Sequence, residues 1–145
     1  MKMNNDTKIL AKTIYGEARG ELNNFGLAPL IAIGNVVVNR FRKKFANSIA
    51  DVCLAPYQFS CWNQRDPNYE KLKKLDESST IFKTCLEISK NLIEGKWPDL
   101  TDGCDHYHEK SIKPYWAGHM TPKRVFGNHL FYSLKNFLNK NKESK

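Results

Sequence analysis

The chain has 145 residues, enough for one domain and too few for a second full one, and its 41% hydrophobic content supplies a core that needs no disulfide or metal staple. With 23 basic and 15 acidic residues the net charge is +8, so the surface attracts a polyanion or a negatively charged matrix: nucleic acid, an anionic membrane surface or a bacterial wall. Gly34 and Asn35 interrupt the longest apolar run well short of the roughly eighteen residues of a membrane span, so stable membrane insertion is not expected.

Residues 1–6 are polar and lead straight into a helical pattern, without the apolar stretch of a secretory signal; the chain is expected to stay in the compartment where it is made. Asp6 or Thr7 is placed to cap a first helix in which Leu10, Ile14 and Glu17 fall at i, i+4 and i+7, which puts Glu17 on the stripe facing the core. Gly16 and Gly20 flank it. Both are poor helix-interior residues and predict a closely approached backbone near the helix end.

Residues 26–41 are apolar almost all round, with Pro29 suited to a first turn. The β-branched run Val36, Val37, Val38 would also suit a strand, but the length of the segment favours a central buried helix. A short helix is predicted over Ile49–Leu54, then a loop of aromatic and polar groups over 56–66. Ser78 or Ser79 opens a third long helix whose inner face is Ile81, Phe82, Cys85, Ile88, Ser89 and Leu92, with Gly95 as its stop. From Gly103 the texture changes to aromatics, histidines and glycines, and residues 105–108 and 125–132 read as strands. The basic tail, 134–145, is expected to fray. No repeat or linker divides the chain, so a single domain over 1–145 is expected.

Cys53, Cys61, Cys85 and Cys104 lack CxxC spacing and are expected to be reduced, partly buried thiols, following the cytosolic pattern. Outside the cytoplasm, three pairings would be open.

Glu17 is the residue most suited to chemistry. A carboxyl group on an apolar helix face is desolvated, which disfavours its ionised form and raises its pKa toward the range of a general acid. Spacing alone leaves a second reading open, a helix-end glutamate turned to solvent or paired with Arg19 or Arg40.

The string Ile14-Tyr15-Gly16-Glu17-Ala18-Arg19-Gly20-Glu21, followed by Ile33-Gly34-Asn35-Val36-Val37-Val38-Asn39-Arg40 and Gln58-Phe59-Ser60, resembles the cell-wall hydrolases of the spore cortex-lytic (SleB/CwlJ) type. His106-Tyr107-His108, Pro114-Tyr115-Trp116-Ala117 and Gly127-Asn128-His129-Leu130-Phe131-Tyr132 resemble the end of the same domain, so the likeness runs over about 8–133. It implies a mainly α, lysozyme-like single domain (α+β) with a small β-rich or irregular C-terminal part. It also implies Glu17 as the catalytic acid, and cleavage of the β-1,4 bond between N-acetylmuramic acid and N-acetylglucosamine by a lytic transglycosylase or muramidase. Residues 23–26 form a longer insertion than the family pattern leads one to expect, at what would be the cleft edge. The resemblance further implies Glu21, Gln58, Phe59, Ser60, Tyr107, Tyr115 and Trp116 as substrate-binding residues. Read from residues alone, Phe59 and Trp62 equally suit a core plug, and Glu21 a solvated or cap-bonded acid sharing a helix face with Glu17.

One carboxyl can suffice, because after protonating the leaving oxygen it can take the proton of the sugar's own C6 hydroxyl, so no second carboxylate need hold a water. With no leader and a single catalytic domain, the chain fits a phage endolysin. Such an enzyme waits in the host cytoplasm and reaches the wall after the membrane is breached; a bacterial spore enzyme ranks lower. It is expected to act as a monomer on bacterial peptidoglycan, with no cofactor.

Two rivals come from the residues. His106 and His108 alternate on a predicted strand, and with Cys104, His119 or His129 they could begin a zinc site of a cell-wall amidase or peptidase; no H-E-x-x-H spacing supports this, and no metal is expected. A nucleic-acid-binding module ranks last, because Lys43, Lys44, Lys71, Lys73, Lys74, Lys135, Lys140 and Lys142 are scattered and no recognition motif appears.

Overall fold

The computed structural model describes residues 4–56 and 58–134. The basic tail, apart from Leu134, lies outside the described residues. Six helices precede a small sheet: α1 (Asn5–Ala18), α2 (Leu22–Phe25), α3 (Ala28–Arg42), α4 (Ile49–Leu54), α5 (Asn68–Lys74) and α6 (Thr80–Ile93), then β1 (His106–Glu109), β2 (Arg124–Phe126) and β3 (His129–Tyr132). The fold is mainly α with a small β part.

Helix α1 packs against α6, α3 and α4, so its apolar stripe is enclosed on several sides. Leu10 and Ile14 meet Leu30, Ile33, Val36 and Val37 of α3 and Phe82, Cys85, Ile88 and Leu92 of α6 in one cluster. Burying each such side chain stabilises the fold by about 1.5–3 kcal/mol. That gain outweighs the small helix-propensity deficit of the three valines in α3, whose residues 32–40 are all buried. The N-cap of α1 is Asn4, not Asp6 or Thr7: its side chain accepts from the Asp6 amide, while Asp6 Oδ1 accepts from the Ala50 amide and ties α1 to the start of α4. Ser79 caps α6 by accepting from the Phe82 amide.

The polar residues of α3 hold the segment that leads into the sheet. Asn35 Oδ1 accepts from the Leu100 amide (3.0 Å), and one turn on Asn39 Nδ2 donates to Asp99 Oδ2 (2.8 Å) and to the Cys104 carbonyl (2.9 Å). Arg40 Nε donates to the Asp105 carbonyl at 2.7 Å. A helix buried on all sides thus spends its few polar groups on satisfying loop backbone that would otherwise be buried unpaired.

The sheet is antiparallel in the order β1-β3-β2. The expected single strand over 125–132 is instead a hairpin, with Phe126 facing His129 across a two-residue turn. Gly127, at φ +58°, occupies the first turn position, where a positive φ suits the sheet twist. Tyr107 pairs with Phe131, which carries β1 onto the buried central strand. Helix α5 has no counterpart in the sequence reading, because Leu72 is its single buried residue and leaves no periodic stripe to detect.

Candidate active site

Glu17 occupies the penultimate position of α1, beneath an open cleft. Two connected hollows of about 530 and 340 Å³ both include Gly16, Glu17, Asn68, Glu109 and His129 in their walls. The larger is lined further by Arg19, Lys110 and Asn128, and the smaller mixes polar groups such as Ser60 and His108 with the rings of Tyr107 and Trp116 and with Ile112 and Pro114. Glu17 lies where they join.

The Tyr107 hydroxyl donates to Glu17 Oε1 at 2.5 Å. Burial pushes the carboxyl of Glu17 above its ordinary value, and the hydrogen bonds from Tyr107 and from the Cys61 thiol, with the nearby His129, only partly oppose this. Burial and the adjacent Glu17 push the Tyr107 hydroxyl well above its own range, so it stays a donor. Neither of the simpler partners of Glu17 is used. Arg19 donates to Asn68 Oδ1 (2.6 Å) and lies over the Tyr15 ring, while Arg40 turns to Asp105 and Gln58.

Gly16 is what lets the Cys61 loop reach Glu17. A Cβ at this position would stand 2.6 Å from Cys61 Cβ and 2.8 Å from its Sγ. Gly16→Ala is therefore expected to cost about 1–3 kcal/mol by overpacking and to displace Cys61 and Ser60 from the acid. Thermal melts and lysis assays on the purified variant check this; unchanged melting and activity would mean that the loop yields freely. A Cβ built on Gly20 would meet nothing within 4 Å, so the close approach expected there does not occur.

Several expected binding residues are elsewhere. Phe59 is buried in the core, with its ring near Tyr107 and under the Arg40 guanidinium. Gln58 accepts from Arg40 and lines neither hollow, and Trp62 donates its indole N–H to Thr13 at 2.8 Å, packing back on α1. Tyr115 is fully exposed and also outside the cleft wall. Ser60, Tyr107 and Trp116 do line it. The insertion at 23–26 lines neither hollow.

Glu21 does not share a helix face with Glu17, because α1 ends at Ala18 and a 3₁₀ turn over Arg19–Glu21 redirects the chain. Its buried carboxylate accepts from the Asn128 amide (2.5 Å) through Oε1 and from His129 Nδ1 (2.6 Å) through Oε2, fastening the hairpin turn to the end of α1.

The histidines do not gather. His106 Nδ1 binds Asp105, His108 Nε2 binds the Tyr132 hydroxyl and His129 binds Glu21, and Cys104 donates its thiol to the Thr101 carbonyl. Among the described residues no group of three or more His, Cys, Asp or Glu could hold a metal ion. All four cysteines are free and fully buried rather than partly so; burial pushes the Cys53 thiol up to about 12.

A family model described as Cell Wall Hydrolase matches residues 28–132. The chain belongs to the cell wall hydrolase family. Glu17 and Glu21 precede the matched range. The spore cortex-lytic enzyme of Bacillus subtilis (strain 168) is 41% identical to this hydrolase over 58 residues, 39% of the chain. That match spans only 18% of the relative's own length. Among solved structures, the catalytic domain of the germination-specific lytic transglycosylase SleB from Bacillus anthracis superposes with a TM-score of 0.67 at 22% identity, over 90% of this chain and 95% of that one. The catalytic domain of the Bacillus cereus SleB protein gives 0.65 at 21%, over 90% and 91%. The cell wall hydrolase therefore has the fold of the SleB catalytic domain, the mainly α architecture with a small β part that the sequence resemblance implied.

Proposed function

We propose that this cell wall hydrolase is a peptidoglycan lytic transglycosylase that cuts the glycan strand between N-acetylmuramic acid and N-acetylglucosamine, with Glu17 as the general acid. The observation that carries this reading is the environment of Glu17: a carboxyl raised by burial, steadied by the Tyr107 hydroxyl, and open to a cleft with an aromatic half suited to the apolar face of a sugar ring. In the reaction Glu17 gives its proton to the bridging oxygen, and the C1–O bond breaks with its electron pair leaving on that oxygen. The sugar's own C6 hydroxyl then closes on C1 to give a 1,6-anhydro end, and the proton it loses returns the Glu17 carboxylate to its acid form.

Transglycosylation is preferred over hydrolysis because, among the described residues, neither of the other two carboxylates in the cleft wall is a buried, free group beside Glu17. Glu21 is occupied by Asn128 and His129, and Glu109, the other carboxylate lining the cleft, stands exposed at its rim. The likeness to a lytic transglycosylase domain supports the same choice. Mass spectrometry of digested peptidoglycan is the test. Anhydro-muramyl ends are expected; reducing muramyl ends would make the enzyme a muramidase, and freed peptides would overturn glycosidic cleavage altogether.

A further inference from the structure

Resting on the reading of Glu17 as the acid, one group in the cleft wall remains without a task. His129 is almost completely buried, yet it lines both hollows beside Glu17. Its Nδ1 lies 2.6 Å from Glu21 Oε2, and since an ionised carboxylate only accepts, the proton of this hydrogen bond is assigned to Nδ1. Nε2 takes no hydrogen bond from the described residues, and no side-chain nitrogen or oxygen among them is both buried and unpartnered. Nε2 therefore reaches solvent, and the solvent at His129 is that of the cleft. The ring is held on its other sides: it meets the Tyr107 ring edge-on at 5.3 Å, with Phe131 at 6.4 Å.

A carboxylate that holds Nδ1–H fixes the tautomer and leaves Nε2 with its lone pair toward the reaction space, the arrangement by which an imidazole is made a directed proton acceptor. We propose that His129 is the second acid–base group of this enzyme, accepting through Nε2 the proton of the hydroxyl that attacks the anomeric carbon, with Glu21 as the residue that positions it. The step balances. Glu17 has given its proton to the leaving oxygen and is a carboxylate. The attacking oxygen forms its bond to C1 and releases its proton to Nε2, making an imidazolium. That proton then passes to Glu17, directly or through a cleft water, and restores both groups.

The division of labour explains why the Glu21 carboxylate is spent on the hairpin turn. Glu21 does not touch Glu17 in this scheme, and acts on the reaction only through the ring that it orients.

The test combines spectroscopy on the unmodified protein with kinetics on variants. Nitrogen-15 shifts of the assigned His129 ring, at a pH where it is neutral, are expected to show the proton on Nδ1; a proton on Nε2 overturns the proposal. Purified His129→Gln that folds normally is expected to lose at least about 10²-fold in kcat with little change in KM, the scale of general base catalysis. Added imidazole is expected to restore part of the turnover of His129→Ala. Glu21→Gln should lower kcat by about tenfold and shift the His129 tautomer, a readout that a packing role alone would not move. A folded His129→Gln that retains kcat within about threefold overturns the proposal, and if that variant does not fold the tautomer measurement decides. Glu17→Gln separates the two levels: an inactive Glu17→Gln beside a fully active His129→Gln removes only His129, whereas two active variants remove the acid assignment as well.

Discussion

Glu17→Gln is expected to fold, to bind cell walls, and to cleave them at least about two orders of magnitude more slowly than the wild type. General acid catalysis contributes about 10²–10⁴-fold, and glutamine keeps the size of glutamate while lacking the transferable proton. The amide can still accept from the Tyr107 hydroxyl and the Cys61 thiol, so the local hydrogen bonds have a counterpart in the variant. Stability should hold or rise slightly, because an amide costs less to bury than a carboxyl that must ionise during turnover. Release of soluble muropeptides by the purified variant, beside a pull-down on insoluble walls, reads both halves of the expectation. Lysis at near wild-type rate would remove Glu17 from the mechanism.

Asp105→Ala is expected to be the most destabilising single change in the sheet region, by about 3–5 kcal/mol. The Asp105 carboxylate is completely buried: Oδ2 accepts from Lys43 Nζ at 2.9 Å, and Oδ1 from His106 Nδ1 and the Leu134 amide, each at 2.8 Å. Removing it takes a close counter-charge from a largely buried ammonium and strips a partner from the Leu134 amide. Burial alone would raise the pKa of Asp105, yet the hydrogen bonds from His106, Lys43 and Leu134 and the charge of Lys43 hold it well below the usual carboxylate range. The folded pKa is thus depressed, so this group's stabilisation is complete above the unfolded value of about 3.9 and is lost as pH falls toward the folded value. Urea denaturation of wild type and variant should show the largest gap near neutrality and a shrinking gap below about pH 4. A gap that stays constant with pH would mean that the lost packing, not the charge, carries the effect.

The helical half was legible because its signals are local and periodic. Leu10, Ile14 and the α6 face from Phe82 to Leu92 announce their elements by spacing, and Ser79 announces a cap. Glu17 was legible twice, as a carboxyl on an apolar stripe and as part of a string resembling known cell-wall hydrolases. What spacing could not supply was direction. Phe59 and Gln58 stand next to Ser60 in sequence, but the extended backbone before the 3₁₀ turn at Ser60–Trp62 sends Phe59 inward and leaves Gln58 on Arg40. Tyr107 and Tyr115 look alike on paper, and only the pairing of β1 with β3 sends one to the acid while the other stands in solvent. Gly16 and Gly20 marked the neighbourhood of the end of α1, but not that a 3₁₀ turn after Ala18 would take Glu21 off the face of Glu17. One sequence signal was available and unused: Gly127-Asn128 between Val125-Phe126 and His129-Leu130-Phe131-Tyr132 marks a tight hairpin, and so places His129 at the start of a strand rather than in the middle of one.

The two contacts that complete the cleft, Tyr107 to Glu17 and His129 to Glu21, join residues 90 and 108 positions apart in the chain. At a synthesis rate of about 5–20 residues per second, several seconds separate Glu17 from the strand residues that enclose it, and until then the acid is an ordinary carboxyl. The strands that enclose Glu17 follow it by 90 residues and more. Contacts so distant in sequence are also slow to form, since the loops they close carry a large entropic cost. The setting that makes Glu17 an acid therefore depends on segments 90 and 108 positions away, and a fragment limited to the helical half would carry the reactive residue without that setting.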